Sequence, residues 1–474
     1  MSGIITRAMK AIDLGNKKTL NTVLRLMLPA MLSQFITVLY NIVDRIYIGN
    51  LPTNGEISLI GAGVAAPITT LVTSFAYLIV LGGAPLFSMS LGQKREEDAK
   101  KILSNCVLML LVLSLIVMGL GYALLEPMLY WFGASTTSFP YAKEYMLYFL
   151  IGTVFAFLAL GFEQFLIAQG KSIEAMIATI VGAGSNILLD PLFMYVFNLG
   201  IKGAAIATSL SWFISCSLSF ALLWFRGTIR PSFGGYNKKI MGKVLKLGVS
   251  PFIIMSTDSV IIIALNAVLQ NVGGDNGDFL IECSTIVQAF FSLVTGPLLG
   301  ISSGTQPVLA YLYGARETEL VKKAEKQITI CGLIFTTLCF GLSFVVAKPF
   351  ASLFLSFSGT SANQNAVVES SSRYIIYYMI PIILLTFQYT LVDGLTAIGQ
   401  AKYSIWLSLN RKAALLLPLT FILPYLTKDP STTFLAEPIA DAISSTISTI
   451  VFLIVFPHIL KKQKESTGSA LEQA

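Results

Sequence analysis

Along most of this chain apolar residues run in uninterrupted blocks of roughly 18–28, separated by short polar stretches. A helix needs about 20 apolar residues to cross the ~30 Å hydrocarbon core of a bilayer, so each block reads as one crossing. Twelve are predicted, at 23–50, 59–91, 102–125, 142–168, 173–198, 201–225, 247–270, 281–313, 328–347, 370–399, 403–427 and 437–460. The second and eighth exceed one bilayer thickness and are expected to tilt, bend or protrude. Pro67, Pro85, Pro297 and Pro307 supply kink points within them.

Composition supports this reading. Of the 474 residues 55% are hydrophobic and only 12% charged, half the ~25% of an average soluble protein. So few charges cannot cover a water-facing surface, which excludes a soluble enzyme, a secreted domain and a disordered chain. The net charge of +7 needs no nucleic acid once the cations are sorted by loop. One set of loops holds Arg7, Lys10, Lys17, Lys18, Lys94, Arg95, Lys100, Lys101 and Lys171, the run from Arg226 to Lys246, Arg316, Lys322, Lys323, Lys326, Lys402, Lys461, Lys462 and Lys464. The opposite loops hold only Lys143, Lys202, Lys348, Arg373 and Lys428, together with Asp275, Asp278, Glu282 and Asp429. By the positive-inside rule both termini face the cytoplasm of a cell membrane. The first apolar run begins too late and runs too long for a signal peptide. Five scattered cysteines without a CxxC, and a single histidine (His458), leave no His-built metal or catalytic site.

The chain also repeats itself. A shift of 222 aligns Pro29 with Pro251, Asp44 with Asn266, Gly82–Pro85 with Gly304–Pro307, and the charged loop after Gly92 with that after Gly314. A shift of 229 aligns Ala168–Lys171 with Ala397–Gln400. Six crossings per half is an even number, so both halves enter the membrane from the same side. The expected fold is therefore an all-α integral membrane protein, its twelve transmembrane helices in two six-helix bundles related by a pseudo-two-fold axis along the membrane normal. The lobes are read as residues 1–225 and 247–474, joined by a basic cytoplasmic linker, 226–246, that contains Gly227, Pro231, Gly234 and Gly235. Two such lobes can rock about a central cavity. No Walker A pattern occurs, so an ion gradient is the expected drive.

A charge deep in a span costs at least ~2.5–3.5 kcal/mol, and each one asks for a reason. Gln34, Asn41 and Asp44 are the polar positions of the first span, with Asn41 and Asp44 three apart on one face. In the fifth span Asn186 lies one turn before Asp190, and Pro191 follows. Asp190 stands nine residues before the turn near Leu199 and Thr208 nine after it, so both reach the same depth, in the outer half of the bilayer. Two carboxylates, amide oxygens and a hydroxyl in one lobe make a hard-oxygen site for Na⁺, or a proton carrier. The alternatives are that Asp44 pairs with Arg45, that Asp190 caps a kinked helix, and that Thr208 bonds its own backbone.

Gln34…Asn41-x-x-Asp44 followed by Gly49, FEQFLIAQGKS (Phe162–Ser172), SNILLDPLF (Ser185–Phe193) and IKGAAIATSLS (Ile201–Ser211) resemble the MATE (multidrug and toxic compound extrusion) family, nearest its bacterial drug-exporting branch. The resemblance implies two six-helix bundles around a V-shaped cavity, and export of amphipathic, often cationic compounds in exchange for H⁺ or Na⁺. It places the family's N-lobe cation site on Asp44, Asn186, Asp190 and Thr208. The chain departs from the family in carrying Glu163 and Gln164 where many members have paired asparagines.

Three more acids are expected to line the cavity or gate its inner mouth: Glu163 and Asp393, which the repeat relates to within one residue, and Asp258 in mid-span. Arg411 and Lys412 are expected to snorkel to the inner interface or to pair with Asp393. Glu437 and Asp441 are expected to be solvated at the outer end of the last span. Phe35, Tyr40, Phe155, Met176, Phe290 and Phe291 are available for an apolar wall.

The reading is an alternating-access antiporter, not an enzyme. GISSG (Gly300–Gly304) fits the letters GxSxG but has no strand before it. A lipid-linked oligosaccharide flippase is the alternative, and it calls for a more cationic cavity. No cofactor beyond the coupling ion is expected. The partners are small amphipathic substrates and the lipid bilayer, with no nucleic acid, and the chain is taken as a monomer.

Overall fold

A computed structural model describes residues 12–273, 276–358 and 364–471. Arg7, Lys10 and Asp275 lie outside these residues, as do the side chains of Asn266 and Asp278. Within the described chain the twelve predicted crossings are helices: α1 (Thr19–Gly49), α2 (Gly55–Gly92), α3 (Glu96–Ala123), α4 (Phe139–Ala168), α5 (Ser172–Pro191), α6 (Gly200–Arg226), α7 (Lys238–Gly273), α8 (Gly277–Gly314), α9 (Thr318–Ser358), α10 (Gln364–Met379 and Ile382–Ala397), α11 (Ala401–Leu409 and Leu417–Thr427) and α12 (Ala436–Leu471). Eleven are continuous, long and apolar enough to span a bilayer, and the two pieces of α10 make a twelfth, bent by 48°. Pro381, which has no N–H to donate, stands at that break, a kink beyond those expected at Pro67, Pro85, Pro297 and Pro307.

Several further features are irregular. A short helix, Leu125–Trp131, follows α3. One π turn, Leu192–Val196, directly follows Pro191, and another, Asn410–Leu416, interrupts α11. α9 begins ten residues earlier than its apolar run because its first turns are amphipathic: Val321, Ala324, Glu325 and Ile328 are buried while Lys322, Lys323 and Lys326 are exposed.

The inter-lobe seam displays the repeat. A methyl group at Gly92 (α2) would overlap the Tyr311 carbonyl (α8), and one at Gly314 would overlap the Met89 carbonyl. These are the same contact seen from either lobe, since 222 residues separate Gly92 from Gly314 and Met89 from Tyr311. Gly248 of α7 also lies against Leu78 of α2, and Gly300 of α8, the position the repeat relates to Leu78, lies against Ala30 and Met31 of α1. Only glycine allows backbones this close. Gly300 and Gly304, the ends of GISSG, belong to this helix packing and not to a nucleophile turn.

All these contacts lie toward the end that carries the basic loops, hereafter the basic end. Further along the same helical stripes the lobes part. On α1 the seam stripe continues to Asn41 and Arg45, and on α8 to Ser292 and Thr285, all four exposed. The fold is thus a cleft shut at the basic end and open at the other. At the shut end Ile12 N donates to Gly170 O at 3.0 Å and Thr19 Oγ1 donates to Gln327 Oε1 at 2.6 Å, so the segment leading into α1 and its first residue touch both halves. The linker is fixed as well. Gln169 exchanges hydrogen bonds of 3.2 and 2.9 Å with Ile229, and Asn105 accepts from Asn237 N at 2.9 Å.

Candidate cation site and the other membrane charges

Asn186 and Asp190 lie one turn apart on the last turns of α5, both buried. Asn186 Nδ2 donates to Asp190 Oδ1 at 3.1 Å and toward Thr208 Oγ1 of α6 at 3.4 Å. The depth matching of Asp190 and Thr208 therefore holds, and the Thr208 hydroxyl turns to Asn186 rather than to its own backbone. Asp44 on α1 completes the group, close enough to Asp190 for the two charges to repel. Arg45, the cation acting on Asp44, has an exposed side chain. Tyr195, in the π turn after Pro191, donates its hydroxyl to Tyr47 O at 2.7 Å, tying α5 to the end of α1.

Three oxygens here, Asp44 Oδ1, Asn186 Oδ1 and Asp190 Oδ2, are buried and have no hydrogen-bond partner. Most buried polar atoms are paired, and leaving one unpaired costs about 1–3 kcal/mol, more for a charged group. Three lone oxygens beside a hydroxyl are the donor set a small hard cation takes. Neutralising two neighbouring carboxylates would serve as well. Among the described residues no three His, Cys, Asp or Glu converge on a metal position.

Two predicted members stay outside. Gln34 is ten residues from Asp44 along α1, about 15 Å, and sits beside Tyr77 of α2. Asn41 shares the face of Asp44, but its side chain is exposed toward the cleft. Glu163 and Asp393 do not meet. Glu163 turns into its own lobe, where its carboxylate accepts from Thr179 Oγ1 at 3.1 Å and Ser215 Oγ at 2.7 Å. Asp393 lies in the other lobe beside Glu325 of α9.

The second lobe holds an ion network that the sequence had scattered. Arg411 and Lys412, in the π turn of α11, are 2% and 4% exposed, so the expected snorkelling does not occur. They stand ten or more residues from the start of α11, about 15 Å from its end, beyond the reach of either side chain. Arg411 Nε donates to Asp441 Oδ1 at 2.7 Å and its guanidinium lies 5.5 Å from the Tyr389 ring centre. Lys412 pairs with Asp258 and, at 3.9 Å, with Glu437. The expected solvation of Glu437 and Asp441 is also overturned, because they sit one turn apart on α12 and face these cations. Asp258 is the most open of these partners, its side chain 34% exposed.

Removing one member of such a buried pair leaves a lone charge and costs about 3–5 kcal/mol, whereas replacing both with apolar residues is often neutral. Arg411→Met should therefore lower the thermal unfolding temperature markedly in detergent, and Arg411→Met with Asp441→Leu should restore most of it. Equal loss in the single and double variants would contradict this account of the network.

A two-lobed bundle of membrane-crossing helices, with acids buried in the lobes and a cleft between them open at one end only, is the build of a membrane transporter. The chain belongs to the MatE family, matching it over residues 29–192 and 283–422, and like that family it is a transporter and not an enzyme. It is similar to "Multidrug export protein MepA" of Staphylococcus aureus (strain NCTC 8325 / PS 47), 24% identical over 403 residues that cover 84% of this chain and 85% of the relative. The protein of the same name from Staphylococcus haemolyticus (strain JCSC1435) is 27% identical over 334 residues, 69% of this chain and 72% of that one. Among solved structures, an "outward-facing conformation of a multidrug resistance MATE family transporter" superimposes with a TM-score of 0.85 at 20% identity, over 96% of this chain and 99% of that one. This likeness establishes the fold.

Proposed function

We propose that the chain exports amphipathic, positively charged organic compounds across a bacterial plasma membrane, in exchange for a monovalent cation. The observation that carries this is the trio of buried, unpaired oxygens on Asp44, Asn186 and Asp190. They are costly when empty and relieved by a cation. The names of the staphylococcal relatives support the cargo class. Basic loops at the shut end support a cytoplasmic placement of that end and of both termini.

In this reading the two lobes, 1–225 and 247–474, rock about the linker 226–246. A cation entering from the open side settles between Asp44 on α1 and the Asn186–Asp190–Thr208 face of α5 and α6. Drawing α1 toward α5 and α6 narrows the N-lobe side of the cleft and expels the substrate. Cation and substrate then weaken each other's binding, and the linkage is reciprocal.

The test is ethidium efflux from proteoliposomes under an imposed pH gradient or an imposed sodium gradient, each alone. Efflux driven by at least one of them supports the proposal and names the ion. Ethidium movement that only runs down its own gradient contradicts it.

A further inference from the structure

A second pair of carboxylates, Glu325 buried and Asp393 half-buried, lies in the other lobe, near the shut end. Glu325 of α9 is 3% exposed and neither of its oxygens has a hydrogen-bond partner. It lies against the α10 backbone at Gly394, where a methyl group would come within 2.7 Å of Glu325 Oε2 and 2.8 Å of Oε1. The neighbouring residue, Asp393, has a buried oxygen with no partner and acts on Glu325 electrostatically. Beside Asp393 stand Ser302 and Gln306 of α8. Gln306 is 1% exposed, with both amide atoms unpaired.

Two acids and a buried amide thus converge from three helices. Among the described residues the charge acting on Glu325 is Asp393, another acid, and Lys322, Lys323 and Lys326 occupy the exposed face of α9. The repeat does not explain the cluster either. Its counterparts in the first lobe are Leu103, Ala84 and Gln164, and the acid beside Gln164, Glu163, is already hydrogen-bonded to Thr179 and Ser215.

We infer that Glu325, Asp393, Gln306 and Ser302 form a second binding site for one monovalent cation, H⁺ or Na⁺, in the C-lobe. Gly394 is the notch that admits the Glu325 carboxylate. Each lobe then carries one cation site, at opposite depths of the membrane, and the exchange moves two cations per cycle. The role in transport rests on the coupling proposed above; the binding itself does not.

The test counts bound cations on the purified full chain in lipid nanodiscs. One arm measures ²²Na⁺ bound at alkaline pH, and the other protons bound in a sodium-free titration from mildly acidic to mildly alkaline pH. Glu325→Gln should bind one cation fewer than wild type in one of the two arms, and that arm identifies the ion. Asp44→Asn should lose a different one, so that the double variant loses both. Equal counts in wild type and Glu325→Gln in both arms would overturn the inference. Should Glu325→Gln fail to fold, Gly394→Ala keeps every ionisable group while displacing the Glu325 carboxylate. A severalfold weaker cation affinity is expected from it, and unchanged affinity would overturn the inference equally. Undiminished efflux in Asp44→Asn would sink the coupling proposal and leave this count standing.

Discussion

Asp190→Asn should abolish gradient-driven accumulation of ethidium in inverted membrane vesicles while leaving the protein folded and in the membrane. The substitution keeps the shape of the side chain and its place beside Asn186 Nδ2 but removes the charge that a cation would neutralise. A coupling free energy of about 1–3 kcal/mol corresponds to roughly 5–150-fold in mutual affinity, and losing it should bring accumulation down by that order. Stability should hold or rise, because the variant no longer buries an anion repelled by Asp44. Asp44→Asn should behave alike, and the pair together should do no worse than either alone, since both serve one site. A variant that still concentrates ethidium as wild type does would show that the cluster is not the coupling element.

The second large effect concerns the seam. Gly248→Ala should prevent the lobes from closing at the basic end, because the added methyl would overlap the Leu78 carbonyl, a backbone atom that cannot step aside. The helices α2 and α7 would have to separate. Spin labels at positions 94 and 317, on the loops that follow α2 and α8, should report a short distance in wild type and a longer, broader one in the variant. Export should fall in parallel, for an exporter that cannot shut its basic end cannot complete a cycle. Gly300→Ala, at the other inter-lobe contact, against Ala30 and Met31, should do the same. An unchanged distance in Gly248→Ala would mean that the seam is looser than its geometry implies.

How far the sequence reached can be argued residue by residue. The crossings were legible because hydrocarbon demands continuous apolar runs, and the repeat because its glycines and prolines keep their spacing. Asn186 and Asp190 were legible from one helical turn, and Thr208 from symmetric counting about a turn. Helical phase alone could not separate Asn41, which is exposed toward the cleft, from Asp44, whose Oδ1 is buried. Nor could it show that Gln34 lies too far down α1 to take part.

Glu325 was missed for a specific reason. Three lysines around it made its stretch look like a loop, and only the buried run Val321, Ala324, Ile328 marks an amphipathic helix start. The pairing of Arg411 with Asp441 and of Lys412 with Asp258 depends on how α7, α11 and α12 pack, which no local pattern encodes. The break at Pro381 carried a signal that went unread: a proline within an apolar run.

The most direct test of the central claim is the affinity of the purified protein for ethidium, followed by fluorescence polarisation while Na⁺ and pH are varied separately. The account predicts that the coupling ion weakens ethidium binding in wild type and that this dependence vanishes in Asp190→Asn. Ethidium affinity indifferent to both ions in wild type, or equally responsive in Asp190→Asn, would contradict it.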